Sequence, residues 1–335
     1  MKAIAPGKLI LSGEHAVVYG KPAIAMAVDR CAQAVIAPSP SGEEVAINLQ
    51  DLHLAESFPV RTLRDLKGRI GKNYRQFLDG QLSIREVLHK PIELFQYAFI
   101  TILDALHLTV AQGLDIQLRS NIPIGCGMGS SAATVLSVLR SVGHYFRVEF
   151  RPEWYLAYSL EAENLQHGHA SGLDSYISIH GGCARFQDGR AEKMPLPRMP
   201  IHLVHTGAPA VTTGECVEQV RQQFGNSTVW SEFEDVTREM ESALRANDLA
   251  AIQASIRDNH RLLTGIGVVP SRVQEFVKAV EQQDAAAKIC GAGAVAGDSA
   301  GIVLVCAEEP PRALCKEYGY TLISARGEPL GARIV

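Results

Sequence analysis

Three short stretches of this chain gather the residue types that do chemistry. In the first, GCGMGSS at 125–131, Gly125, Gly127 and Gly129 alternate with Cys126 and Met128, and Ser130 and Ser131 then open an apolar helix. Glycine permits backbone shapes and close approaches that a β-carbon blocks. The first turn of a helix exposes unpaired N–H groups and the positive end of its dipole. The combination suits an anion, phosphate above all, and the two hydroxyls are placed to cap the helix or meet a phosphate or metal. A tight turn into a well-packed helix is the plainer reading of the same residues.

The second stretch, GKLILSGEHAVVYG at 7–20, sets Lys8, Glu14 and His15 among apolar neighbours. Charges partly buried in this way require partners. The third is LEAENLQHGHASGLDSYIS at 160–178. At the helical angle, Leu156, Leu160, Glu163 and His167 project within about 40° of one direction, while Glu161 points away. A carboxylate on an apolar face needs a cation, and a metal ion would serve. Asp174 follows a flexible HGHASG turn, in which His167 and His169 lack further ligands and read as structural. A late glycine-rich loop, GAGAVAGDSAG at 291–301, either brings backbone against a ligand or makes a tight crossover between strands.

The elements that must position these residues are legible from pattern. LDIQLRS (114–120) alternates as a half-buried strand, and the helix after the glycine loop covers 132–145. Pro152 suits a first helical position, so 152–166 reads as a second helix. Further helices are expected at about 231–246, 248–264 and 271–283, the last with a capping box of Ser271 and Gln274. AKIC and GIVLVCA are strands flanking the late loop. Strands and helices mixed without a strict βαβ rhythm indicate an α+β architecture. The Pro-containing stretch KMPLPRMP marks a boundary, giving domains at 1–185 and 186–335.

Bulk properties narrow the function. With 335 residues, 47% hydrophobic and 20% charged, the chain suits a soluble protein of one large or two medium domains. A net charge of −4 gives no pull toward nucleic acid or an anionic membrane. The basic run Arg61 to Arg75 reads as a solvated surface. Seven scattered cysteines without a CxxC pair argue against a disulfide framework or zinc site, and for a reducing, cytoplasmic setting. No signal peptide or membrane span is expected. Neither GxxxxGK[ST] nor GxGxxG occurs, so P-loop and dinucleotide-binding readings fall away.

Taken together, APGKLILSGEHAVVYGKPA, IPIGCGMGSSAA and KICGAGAVAGDSAG resemble the three ordered motifs of the GHMP kinases, which phosphorylate small molecules such as galactose, homoserine, mevalonate and phosphomevalonate. Within the family, the first stretch and ENLQHGHASGLDS look most like the members acting on mevalonate. The resemblance implies an N-terminal ribosomal-protein-S5-like domain with a left-handed βαβ crossover, a ferredoxin-like α/β C-terminal domain, and ATP between them. It implies Asp174 as the base, Lys8 beside it, residues 125–131 around the ATP phosphates, Ser131 and Glu163 on Mg²⁺, and Glu14 and His15 on the mevalonate side. It is compatible with a homodimer. One departure concerns the third motif, where Ala294, Val295 and Ala296 replace part of a glycine run and Asp298 brings negative charge toward the expected cleft. Phosphomevalonate kinase, another small-alcohol kinase and a non-catalytic ligand sensor are the rival readings.

Overall fold

The apolar run Leu9-Ile10-Leu11 belongs to a strand buried on both faces, and that strand organises the molecule. The computed structural model describes residues 1–39, 42–149 and 151–335. The chain begins with β1 (Lys2–Ser12), β2 (Ala23–Pro38), β3 (Glu44–Leu49) and β4 (Leu54–Pro59). Helices α1 (Val60–Leu78) and α2 (Glu93–Ala105) lead to β5 (Leu114–Ser120), the strand expected at 114–120. Then come α3 (Ser130–Tyr145), α4 (Pro152–His167), α5 (Leu173–His180) and the hairpin β6 (Cys183–Gln187) and β7 (Arg190–Met194).

The second part comprises β8 (Ile201–His205), α6 (Thr213–Phe224), α7 (Val229–Ala246), α8 (Leu249–Gly265), α9 (Ser271–Glu281), β9 (Ala286–Ile289), β10 (Ile302–Cys306), α10 (Arg312–Tyr318) and β11 (Thr321–Ile323). Each helix expected from the sequence is present to within a few residues. A final short strand, β12 (Arg333–Ile334), returns to the first part.

Two sheets result. The larger runs β12-β1-β2-β5-β3-β4, with the β6–β7 hairpin attached to β2. The smaller runs β11-β8-β10-β9, all antiparallel. Numbered within its own unit, that is the order 4-1-3-2 of a split βαβ, ferredoxin-like arrangement. The expected division at 185/186 falls inside β6, which pairs with β2 and β7. The chain leaves the first sheet after Met194, because the hairpin needs both of its strands to satisfy its backbone groups.

On β1, Leu9 and Leu11 join a core that includes Phe99, Val135 and Leu139 and continues to Leu203 and Leu304 of the smaller sheet. Ile10, on the opposite face, packs with Leu173 and Ile177 of α5. Side chains two apart on a strand share a face, so Lys8 is delivered to the side where α5 begins. A separate core, with Phe233, Phe276 and Val303, fills the outer side of the smaller sheet. No described helix is long and apolar enough to cross a membrane, and all seven cysteines are free.

One local expectation fails. The helix at 271 starts on Pro270 as N-cap, without a side-chain cap, so Ser271 is already inside the first turn. Gln274 instead donates to the carbonyl of Val269 at 2.7 Å.

The C-terminal tail is stitched to the end of α5. Gly182 N–H donates to Glu328 O at 2.8 Å, and Ala332 N–H to Ser178 O at 2.9 Å. Deleting residues 326–335 should therefore lower the thermal midpoint by several degrees; an unchanged midpoint would show that the tail contributes nothing to the fold.

Candidate active site

The glycine loop adopts the strained geometry its composition suggests. Gly125, Gly127 and Gly129 have φ of 70°, 83° and 69°, values that cost an L-residue roughly 1–2 kcal/mol each. Gly127 is also sterically obligatory: a β-carbon there would lie 2.2 Å from the Cys290 carbonyl oxygen. Facing it, Gly291 would place one 2.6 Å from Gly127 Cα. The late loop therefore packs back-to-back with the central loop, and its Gly291 and Ala292 also line the cleft. The negative charge expected there is absent: Asp298 is exposed and outside the cleft lining. Gly293, whose β-carbon would lie 2.2 Å from Val268 O, packs tightly against the connection between α8 and α9.

From the glycine loop the chain enters α3, whose Gly129 N-cap offers no side-chain hydrogen bond to the first turn. The orphan N–H groups of that turn are left for a ligand, and Ser130 and Ser131 line the cleft beside them.

Lys8, 3% exposed, is fastened to this loop at both ends. Its backbone N–H donates to Met128 O at 2.9 Å, and its Nζ donates to Gly127 O at 3.0 Å. The same Nζ pairs with Asp174 Oδ1 at 3.1 Å. Asp174 stands in the first turn of α5 and keeps 31% of its side chain accessible. A buried cation and a partly open carboxylate thus meet at the lip of the anion cradle.

Glu163 lies on the buried side of α4 with Tyr155, Ser159 and Ala162, whereas Leu156 and Leu160 are half-buried. Glu161 does point away, accepting from Tyr97 Oη at 2.5 Å. Glu163 accepts a short hydrogen bond from Ser175 Oγ. Burial, and then the charge of Asp174, push its carboxyl up to about 8, against the pull of Ser175 and Lys8. Protein ligands alone do not make a metal cage: among the described residues, no group of three or more His, Cys, Asp or Glu is arranged to hold an ion.

Glu14 and His15 are both buried and both line the cleft. Their partners come from the second unit. Glu14 Oε1 forms a short ion pair with Lys288 on β9, and His15 Nε2 lies 2.9 Å from Ala292 O. Burial raises the Glu14 carboxyl despite Lys288 and lowers the His15 imidazole. Lys288 escaped the sequence analysis. Its signal was a single lysine in the otherwise apolar strand AAKI, where it is fully buried. His167 and His169, read as structural from the sequence, both line the cleft. Burial lowers His167, and Asp174 opposes that shift. The basic run 61–75 forms α1 and stays outside the lining.

Lys8, Glu14, His15, Glu163, His167, His169, Asp174 and the glycine loop line one cleft of about 640 Å³ between the two units, whereas Lys288 stands behind it. Its lining combines apolar side chains, among them Leu49, Leu88, Leu94 and Phe95, with Lys8, Glu14, His15, Asp174 and the glycine loop. Such a cleft offers apolar surface, an anion cradle and polar groups to one ligand set.

Residues 93–182 match the family model described as the GHMP kinases N terminal domain. Mevalonate kinase of Thermococcus sibiricus is 29% identical over 310 residues, covering 87% of this chain and 86% of the relative. The crystal structure of Methanococcus jannaschii mevalonate kinase superposes with a TM-score of 0.80 at 23% identity, covering 98% of each chain. That of L. major mevalonate kinase in complex with R-mevalonate gives 0.70 at 19% identity, covering 99% of this chain and 97% of the other. At these identities the structures establish the fold.

The loop geometry separates two substitutions. Gly127→Ala should cost at least about 2 kcal/mol, from strain plus overpacking. Gly125→Ala, whose β-carbon meets nothing within 4 Å, should cost only the strain of about 1–2 kcal/mol. Denaturant unfolding of both variants checks the order; equal losses would mean that the two loops do not press on each other.

Proposed function

We propose that this chain, which carries a GHMP kinase N-terminal domain and is similar over most of its length to mevalonate kinases, transfers the γ-phosphoryl group of ATP to the 5-hydroxyl of mevalonate, giving 5-phosphomevalonate and ADP. The observation that carries this reading is the Lys8–Asp174 pair held against the glycine loop. It puts a carboxylate and a cation at the point where an acceptor hydroxyl would meet a bound phosphate.

Phosphoryl transfer asks a protein mainly for alignment and for neutralisation of phosphate charge. Residues 125–131 and the first turn of α3 receive the phosphates through backbone N–H groups. Apolar side chains of the lining, such as Leu88, Leu94 and Phe95, accept the base of the nucleotide. Asp174 orients the acceptor hydroxyl and takes its proton, while Lys8, paired with it, stabilises charge growing on the attacking oxygen. Glu14 and His15 hold the rest of the acceptor.

The donor set fits Mg²⁺. Ser131 and Glu163 would hold it, a small set that suits an ion which keeps waters and substrate phosphates as its other ligands. A cation beside Glu163 would also offset the repulsion from Asp174 that burial intensifies. When bound, Mg²⁺ neutralises charge on the ATP phosphates. In this reading the first unit is taken through β7 rather than to residue 185, and it supplies the glycine loop, both carboxylates and Lys8. The free thiols support a reducing, cytoplasmic setting.

The test is ADP release by the purified protein with ATP, Mg²⁺ and a panel of mevalonate, phosphomevalonate, homoserine and galactose. Turnover with mevalonate is expected, and turnover with another member alone overturns the substrate assignment. Asp174→Asn should lose roughly 10²–10⁴-fold in kcat while binding ATP within a few-fold of the parent. Undiminished kcat would remove Asp174 from the role of base.

A further inference from the structure

The Glu14–Lys288 pair has an asymmetry that its burial makes informative. Both side chains are wholly withdrawn from solvent. Lys288 Nζ is satisfied twice, by Glu14 Oε1 and by the Ile10 carbonyl at 3.1 Å. Glu14 is less well served: among the described residues its Oε2 has no hydrogen-bond partner, although Glu14 lines the cleft. A buried carboxylate oxygen without a donor is costly, and the cleft is where a ligand can supply one.

The route by which Lys288 arrives matters as well. It stands on β9, and the residues that follow it meet the first unit in sequence. The Cys290 carbonyl and Gly291 press on Gly127 of the glycine loop, and the Ala292 carbonyl meets His15. Five consecutive residues of the second unit, 288–292, therefore touch both the acceptor end of the cleft and its phosphate cradle.

We propose that Lys288 is a positioning residue for the acceptor: it fixes one oxygen of Glu14 so that the other, Oε2, receives a hydroxyl or other hydrogen-bond donor of the bound alcohol. The inference rests on the small-alcohol kinase reading above and adds to it a role for the second unit. Lys288 reaches the acceptor only through Glu14. Its charge also favours the ionised form of that carboxyl, opposing the larger effect of burial, which raises it. The other titratable groups facing the pair are Lys8 from β1, His260 from α8 and Cys290 beyond β9, with His15 next in the chain.

The experiment compares Lys288→Met, Lys288→Arg, Glu14→Gln and the double variant E14Q/K288M. Without the ammonium, Glu14 takes up a proton at higher pH, and acceptor binding that depends on the charged carboxylate is lost as pH falls. Lys288→Met should raise the acceptor KM at least tenfold at pH 7, leave the ATP KM within about threefold, and move the acid limb of kcat/KM for the acceptor to higher pH. Lys288→Arg should restore most of the loss, and Glu14→Gln should abolish that limb. Parallel losses for both substrates, with no movement of the limb, would reduce Lys288 to a structural residue and overturn the proposal.

A second measurement needs no turnover. Thermal midpoints around the same cycle should show the double variant at least as stable as Lys288→Met alone, because the single change strands a buried carboxylate. A double variant whose loss equals the sum of the single losses contradicts the pairing. If the parent protein phosphorylates a different alcohol, the kinetic arm is run with that alcohol and the assignment of mevalonate alone falls. If the parent turns over nothing, the kinase reading fails while the stability cycle still decides the pairing.

Discussion

An ammonium group can be taken out of water only where an anion and hydrogen-bond acceptors are already in place. Lys8 imposes that constraint here. It is fixed to the glycine loop through its own backbone and through Nζ, and its charge is met by Asp174. Three elements distant in sequence must therefore converge: the middle of β1, the loop before α3, and the first turn of α5. The apolar core enforces the convergence, since Ile10 packs on α5 from the strand face that carries Lys8.

A second buried lysine repeats the device from the other side. Lys288 brings a cation from the smaller sheet to Glu14, and the loop behind it lies against Gly127 so closely that no side chain fits on either face of the contact. The two units are thus joined at the floor of the cleft by an ion pair and by bare backbone. Both contacts are rigid, and both sit next to the groups that would bind phosphate and acceptor. Preorganisation of this kind is what electrostatic catalysis asks of a fold.

Much of this was legible in the residues. The helices at 130–145, 152–167, 249–265 and 271–281 follow apolar periodicity, and the three glycines announced the loop before α3. Glu163 was read as buried from its helical face alone, and it is. Other features depend on distant packing. That Glu14 is answered by Lys288 is invisible to spacing, because the two residues meet only when sheets from different units touch. Asp298 looked cleft-directed because a glycine loop has no period from which to read direction, and only the fold shows it exposed and away from the lining. The proline stretch KMPLPRMP does lie on the passage from β7 to β8, but that a limit at 185 would cut a strand paired with distant β2 is invisible to local pattern.

The central claim is that Lys8 and Asp174 act as one unit on the transferred phosphoryl group. The most direct measurement is single-turnover phosphorylation of mevalonate by Lys8→Met, Asp174→Asn and the combined variant. Residues that act as a unit are strongly non-additive, so the combined variant should be slowed no more than about threefold beyond the slower single variant. Losses that multiply would show two independent contributions and contradict the account.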